Sequence, residues 1–188
     1  MKNVCFLFGI NGVGKSALAR GIAAAIPGAS LVSSSETLRN ALGGMTREAL
    51  ELADPQIKQE MLRKSLLRAF EERKHASVIL CDKHLLVPIR SESSLRYECM
   101  WDEAYDEHAH CLCYVTAPQE SIAERRRRDI ISGERVRRSL SIDEIIHDEK
   151  MNHEAFSGLF SHRSDAFELN NGAALENGVH ALLSRLAS

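Results

Sequence analysis

The residues with the clearest chemical capacity lie near the amino end, in Gly9-Ile10-Asn11-Gly12-Val13-Gly14-Lys15-Ser16. The run fits the pattern G-x-x-x-x-G-K-[ST] in full, with a short apolar run before it and a helical pattern after it. Glycines let such a loop curl round a phosphate with its N–H groups turned inward, and the start of the next helix adds a favourable field. Gly9, Asn11, Gly12, Val13, Gly14 and Ala17 would line that cradle. Lys15 would meet the outer phosphates, and the Ser16 hydroxyl would ligate Mg²⁺. The pattern implies nucleotide binding and leaves the reaction open.

A site of this kind needs an acid at the end of a neighbouring strand, and Val78-Ile79-Leu80-Cys81 runs into Asp82. Asp82 there would hold Mg²⁺ through water or accept a proton from the phosphate acceptor. The competing reading is an aspartate that caps a turn. His84 follows closely and is either a substrate-binding group or a solvated loop histidine.

A third feature is an arginine cluster: Arg125, Arg126, Arg127 and Arg128, then Arg135, Arg137 and Arg138, seven arginines within fourteen residues. Guanidinium groups fork onto phosphate oxygens and neutralise charge that develops in phosphoryl transfer. A segment that closes over the site would also exclude water. Arg125 and Arg128 share a helix face. With Arg137 they are the catalytic candidates, and Arg126 is a candidate for holding the nucleotide. A solvated helix face and an RNA-phosphate patch compete with this reading. The low aromatic content, 5%, leaves little to stack bases and weakens the RNA alternative.

Other constellations carry less. His108, His110, Cys111 and Cys113 have no second ligand pair at zinc spacing, and strand alternation makes the cysteines core residues. Tyr97, Trp101 and Tyr105 read as packing against a sheet rather than as walls of an acceptor pocket. Asp143, Glu144, Asp148 and Glu149 fall early in a capped helix, where acids are favoured, and read as a solvated face.

These groups need a scaffold, and the chain alternates five apolar runs (4–8, 30–33, 77–81, 111–115 and 167–170) with helical patterns. That is the alternation of a parallel sheet with crossover helices. Leu18, Ile22 and Ile26 stripe one helix. Asp54-Pro55 starts another, with Ile57, Met61, Leu62, Leu66, Ala69 and Phe70 on one face. Ser141-Ile142-Asp143-Glu144 is a capping box, and Leu175, Val179, Leu182, Leu183 and Leu186 stripe a last helix. Segments 34–75, 83–110 and 129–140 read as insertions on one sheet, within a single domain over 1–188; residues 91–110 look helical and charged.

Composition sets the outer bounds. With 188 residues, 44% hydrophobic and 27% charged, the chain can bury a core and is unlike a disordered one. The formal charge of −2 argues against a general nucleic-acid partner. Five scattered cysteines give no disulfide framework. The apolar run that stops at Gly9 is too short to span a membrane, so a reducing, cytoplasmic setting is the expectation.

The order of these landmarks resembles small P-loop kinases of the nucleoside monophosphate kinase type, most of all the archaeal-type adenylate kinases. Their loop also reads G-x-x-G-V-G-K, their third strand also ends in Asp-x-His (here Asp82-Lys83-His84), and their lid also begins Arg-Arg-x-x-Asp (here Arg125–Asp129). The resemblance implies a three-layer α/β P-loop NTPase fold, a central parallel sheet of about five strands, and a short arginine-rich lid over residues 125–140. It implies transfer of the γ-phosphoryl group of ATP, with Mg²⁺, to a small acceptor such as a nucleoside monophosphate, releasing ADP. The helical insertion 34–75 would clamp the acceptor, with Arg39 and Arg47 on its phosphate, and the loop after the last strand, Asn170 and Asn171, would lie near the adenine. The sequence departs from that family at 85–96, LLVPIRSESSLR, where archaeal enzymes are glycine-rich, and it lacks the Gly-Phe-Pro-Arg signature of the bacterial enzymes. Two further readings stay open: a kinase of a non-nucleotide small molecule, and an ATP-binding interaction module of an RNA–protein assembly.

Overall fold

The structure, a computed structural model, describes residues 3–46, 49, 54–90, 95–132, 139–172 and 175–186. Among the described residues the elements follow in the order β1 (Val4–Phe8), α1 (Lys15–Ala25), β2 (Ser30–Ser33), α2 (Ser34–Ala41), α3 (Pro55–Glu72), β3 (Ile79–Asp82), β4 (Leu86–Arg90), β5 (Leu95–Cys99), β6 (Ala109–Thr116), α4 (Gln119–Ile131), α5 (Ile142–Phe160), β7 (Ala166–Asn170) and α6 (Leu175–Leu186). Five strands form one parallel sheet in the order β2-β3-β1-β6-β7. The five apolar runs of the sequence are these five strands.

β1 is central, so both its faces are buried and all five of its residues are apolar and shielded. Its alternation divides the core in two. Val4, Phe6 and Phe8 pack with Phe70, Tyr105, Tyr114, Phe156 and Phe160 on one face. Cys5 and Leu7 pack with Leu18, Ile22, Ile122 and Leu182 on the other. Helices therefore cover both faces, which makes three layers.

The caps act as their residue types demand. Asp54 Oδ1 accepts from the N–H groups of Gln56 and Ile57, and Ser141 Oγ accepts from that of Glu144. Tyr105 and Trp101 lie in the aromatic core beside Phe6, as packing residues.

Two expectations need correction. The stretch expected to look helical after residue 90 instead supplies β5, antiparallel to β4 in a two-stranded ribbon, and then a short 3₁₀ turn, Glu103–Tyr105. Val87, Ile89 and Tyr97 favour extended backbone, and Pro88 is tolerated because such a ribbon has only edges. Its exposed faces explain the charge that suggested a helix. The cysteines are not all plain core thiols either: Cys5 and Cys111 are disulfide-bonded. Parallel register sets the two directly opposite each other, with Cα atoms 4.7 Å apart, and register is not visible in cysteine spacing. Cys81 and Cys113 are free and buried. No helix among the described residues is long and apolar enough to cross a membrane.

Candidate functional site

The functional side chains gather at the carboxyl end of the parallel strands, where the loops from β1 and β3 meet. The chain leaves β1 through Gly9, Gly12 and Gly14, with φ of 131°, 94° and 97°. At two of these positions only glycine fits. A Cβ on Gly9 would collide with the carbonyl oxygen of Val115, and one on Gly14 would stand 2.5 Å from Asn171 Nδ2. Gly14 is also the N-cap of α1, and no side chain caps that helix. Its first N–H groups are thus left without a side-chain acceptor, an arrangement suited to an anion.

Lys15 is buried at the base of this loop. Its Nζ donates to the carbonyls of Gly9 (2.8 Å) and Ile10 (3.1 Å) and stands 3.8 Å from Asp82 Oδ1. Asp82 ends β3 opposite Leu7 of β1, and its Oδ2 accepts a hydrogen bond from Ser16 Oγ. Two of the residues singled out for phosphate and metal chemistry, Lys15 and Ser16, therefore meet at the third, Asp82. Val13 is wholly buried and fixes the loop on the core, while Asn11 and Ala17 are half-buried at its rim.

The arginine cluster divides. Arg125 grips the back of the loop: Nη1 donates to the carbonyls of Gly12 (3.3 Å) and Val13 (2.8 Å), and Nη2 to that of Asn171 (3.0 Å). Arg126 is almost fully buried, donating to Asn11 O and Ser139 O at 3.0 Å each. Arg128 is not brought to the loop. It is exposed and faces Glu124 at 3.6 Å. Arg137 lies outside the described residues, as does Arg47. Arg39, in the last turn of α2, turns its Nε to the Met45 carbonyl, 2.8 Å away in the segment that follows the helix. His84 is half-buried between β3 and β4.

Of the two asparagines after β7, Asn171 meets the loop, with Nδ2 donating to Val13 O at 2.8 Å. Asn170 is exposed, and its side chain accepts from the Gly172 N–H.

Three groups at the site carry more than the sequence suggested. Asp148 and Glu149 were read as a solvated face. Asp143 and Glu144 are indeed exposed, but Asp148 accepts from the Tyr97 hydroxyl at 2.5 Å and lies 4.0 Å from Arg126 Nη2. Burial pushes the Glu149 carboxyl up to about 7, although the Tyr114 hydroxyl, His153, Lys15 and Arg126 all favour its ionised form. The sequence carried a signal: Ile145, Asp148, Glu149, Asn152 and Phe156 form one helical stripe, and Ile145, Asn152 and Phe156 are buried. The third group is Lys83, wholly buried with no hydrogen-bond partner and 4.8 Å from the centre of the Tyr105 ring. Burial draws its ammonium down to about 8.

Comparison with known proteins bears on this geometry. A family model described as "AAA domain" matches residues 8–146. No curated protein matches the sequence. Among solved structures, a shikimate kinase from Bacteroides thetaiotaomicron superposes with a TM-score of 0.62 at 15% identity, covering 99% of each chain. A sugar kinase from Janibacter sp. gives 0.59 at 15% identity, covering 100% of this chain and 95% of its own. At that identity the likeness is one of fold, and the fold is the three-layer P-loop kinase type with a central five-stranded parallel sheet.

Proposed function

The chain belongs to the AAA domain family, and we propose that it is an ATP- and Mg²⁺-dependent phosphotransferase acting on a small acceptor. One observation carries the reading: Lys15, Ser16 and Asp82 converge at the mouth of a glycine loop whose helix is uncapped. A hydroxyl and a carboxylate oxygen in contact are hard donors of the kind Mg²⁺ takes, so Ser16 and Asp82 fit as the residues that would hold it. Bound there, the ion would neutralise charge on the outer phosphates.

The chain's own groups do the rest by placement and charge. Lys15 would exchange its loop carbonyls for phosphate oxygens. The acceptor oxygen forms the new bond to phosphorus as the bond to the ADP oxygen breaks, and the acceptor proton passes to Asp82 where that carboxylate holds Mg²⁺ only through water. Arg128 and Arg137 serve as the lid cations that meet the transferred phosphate, whereas Arg125 and Arg126 hold the loop in shape.

The acceptor is a nucleoside monophosphate if the clamp of Arg39, Arg47 and His84 receives its phosphate, as the order of landmarks suggests. A non-nucleotide acceptor is the second reading, favoured by the full-length likeness to structures named as a sugar kinase and a shikimate kinase. An acceptor panel with ATP and Mg²⁺ decides, by following ADP release with each nucleoside monophosphate and then with sugars and hydroxy acids. Acceptor-dependent ADP release supports the assignment. Slow ADP release indifferent to every acceptor contradicts it.

A further inference from the structure

The carbonyls of the phosphate loop divide between two sets of donors. Those of Gly9 and Ile10 accept from Lys15 Nζ. The next three are held from outside the loop. Asn11 O accepts from Arg126 Nε at 3.0 Å and Gly12 O from Arg125 Nη1 at 3.3 Å. Val13 O accepts twice, from Arg125 Nη1 and from Asn171 Nδ2, at 2.8 Å each. No peptide bond among the described residues is cis, and a trans peptide sets its C=O and the following N–H on opposite sides. The N–H groups of Gly12, Val13 and Gly14 therefore point away from the side chains that hold the carbonyls before them. Gly12 and Gly14 are half-buried, so solvent reaches this part of the loop.

Asn171 is fixed at its main chain as well. Its N–H donates to Thr116 O at the end of β6 (2.7 Å), and its carbonyl accepts from Arg125 Nη2 (3.0 Å). The side chain is almost fully buried, and its Oδ1 has no hydrogen-bond partner among the described residues. A buried amide oxygen without a partner is unfavourable, and an apolar side chain would avoid it. What only the carboxamide supplies is the Nδ2 donor to Val13. α6 makes room for it: a Cβ on Gly178 would stand 3.0 Å from Asn171 Oδ1, and glycine inside a helix is itself unfavourable. The family resemblance implied an adenine contact at Asn171, whereas its side-chain nitrogen is directed to the loop.

We propose that Asn171 is a positioning residue of the phosphate site. By holding the Val13 carbonyl back, it aims the Gly14 N–H at incoming phosphate oxygens, as Arg125 and Arg126 do for the two N–H groups before it. It touches neither the base nor the phosphates. Without Nδ2 the Val13–Gly14 peptide is left to Arg125, and a peptide that rotates there offers an anion its carbonyl oxygen in place of an N–H. The inference rests on the assignment of the loop to nucleotide phosphates.

Calorimetric titration of the full chain with ADP and with inorganic tripolyphosphate, Mg²⁺ present, separates phosphate from base. Asn171→Ala removes the donor, and Asn171→Asp keeps the shape but turns a carboxylate oxygen on the Val13 carbonyl. Each is expected to weaken ADP and tripolyphosphate by the same factor, about tenfold, as for one lost buried hydrogen bond. A lowered Tm with both affinities of the folded protein unchanged makes Asn171 merely structural and overturns the proposal. Weakening confined to ADP assigns Asn171 to the base and overturns it too. A wild type that binds neither compound overturns the reading of the loop itself. If neither variant folds, the side-chain amide resonance of Asn171 in the wild type decides. Tripolyphosphate is expected to shift it as far as ADP does, and a resonance that only ADP moves refutes the proposal.

Discussion

Arg125 separates two accounts of the arginine cluster. Its sequence position suggested a lid cation that meets the transferred phosphate. The structure instead places its three hydrogen bonds on the main-chain carbonyls of Gly12, Val13 and Asn171, at 3.3, 2.8 and 3.0 Å. Arg125→Ala removes all three. Bonds from a charged donor contribute ~1.5–3 kcal/mol when buried and less when water reaches them. For a half-buried side chain with one long bond, about 1 kcal/mol each is reasonable, or about 3 kcal/mol together. That is on the order of a hundredfold in the folded-to-unfolded ratio, and for a chain of this size a fall in Tm of roughly 6–12 °C. Arg125→Lys keeps the charge but cannot fork, so it should recover only about a third of the loss. Urea denaturation and thermal melting measure the effect, with ADP affinity followed in parallel. Stability of Arg125→Ala within about 1 °C of the wild type, with turnover collapsed, would refute the loop-clasp account and return Arg125 to the transition state.

Lys83→Met is expected to stabilise the protein at pH 7 by up to about 3 kcal/mol, because burial lowers the wild-type ammonium to about 8 with no hydrogen bond in return. At Lys83 the unfolded chain binds the proton more tightly than the native one between about pH 8 and 10.5, so the stability advantage of the variant over the wild type should shrink across that window. A destabilised Lys83→Met would show that the Tyr105 contact outweighs the desolvation. Asp82→Asn should raise the Mg²⁺ concentration for half-maximal ATP turnover by tenfold or more, as the loss of a metal contact does, and an unchanged Mg²⁺ requirement would take Asp82 out of the metal site.

Much of this site was legible before any coordinates because local chemistry dictates it. The glycine positions, Lys15, Ser16 and the apolar run into Asp82 each follow from what a phosphate loop requires, and the structure brings them into contact. Helix starts at Asp54 and Ser141 were equally local. What escaped depends on which elements pack together. Glu149 and Asp148 look solvated until α5 is laid across β6, and Lys83 looks like a loop residue until Tyr105 packs under its ammonium. The Cys5–Cys111 bond needs strand register, which spacing along the chain does not carry. The ribbon itself was hidden by its charge, since its strands are short and only a few half-buried side chains such as Val87 and Tyr97 mark an inner face.

The most direct test of the central claim is ATP affinity, by calorimetry with Mg²⁺ present, in the wild type and in Lys15→Ala. The ammonium that now bonds Gly9 O and Ile10 O beside Asp82 should transfer to the outer phosphates. Wild-type binding weakened about a hundredfold or more in the variant is predicted, as for loss of a charge-assisted contact of about 3 kcal/mol. Equal affinity in the two proteins would mean that phosphates do not bind in this loop.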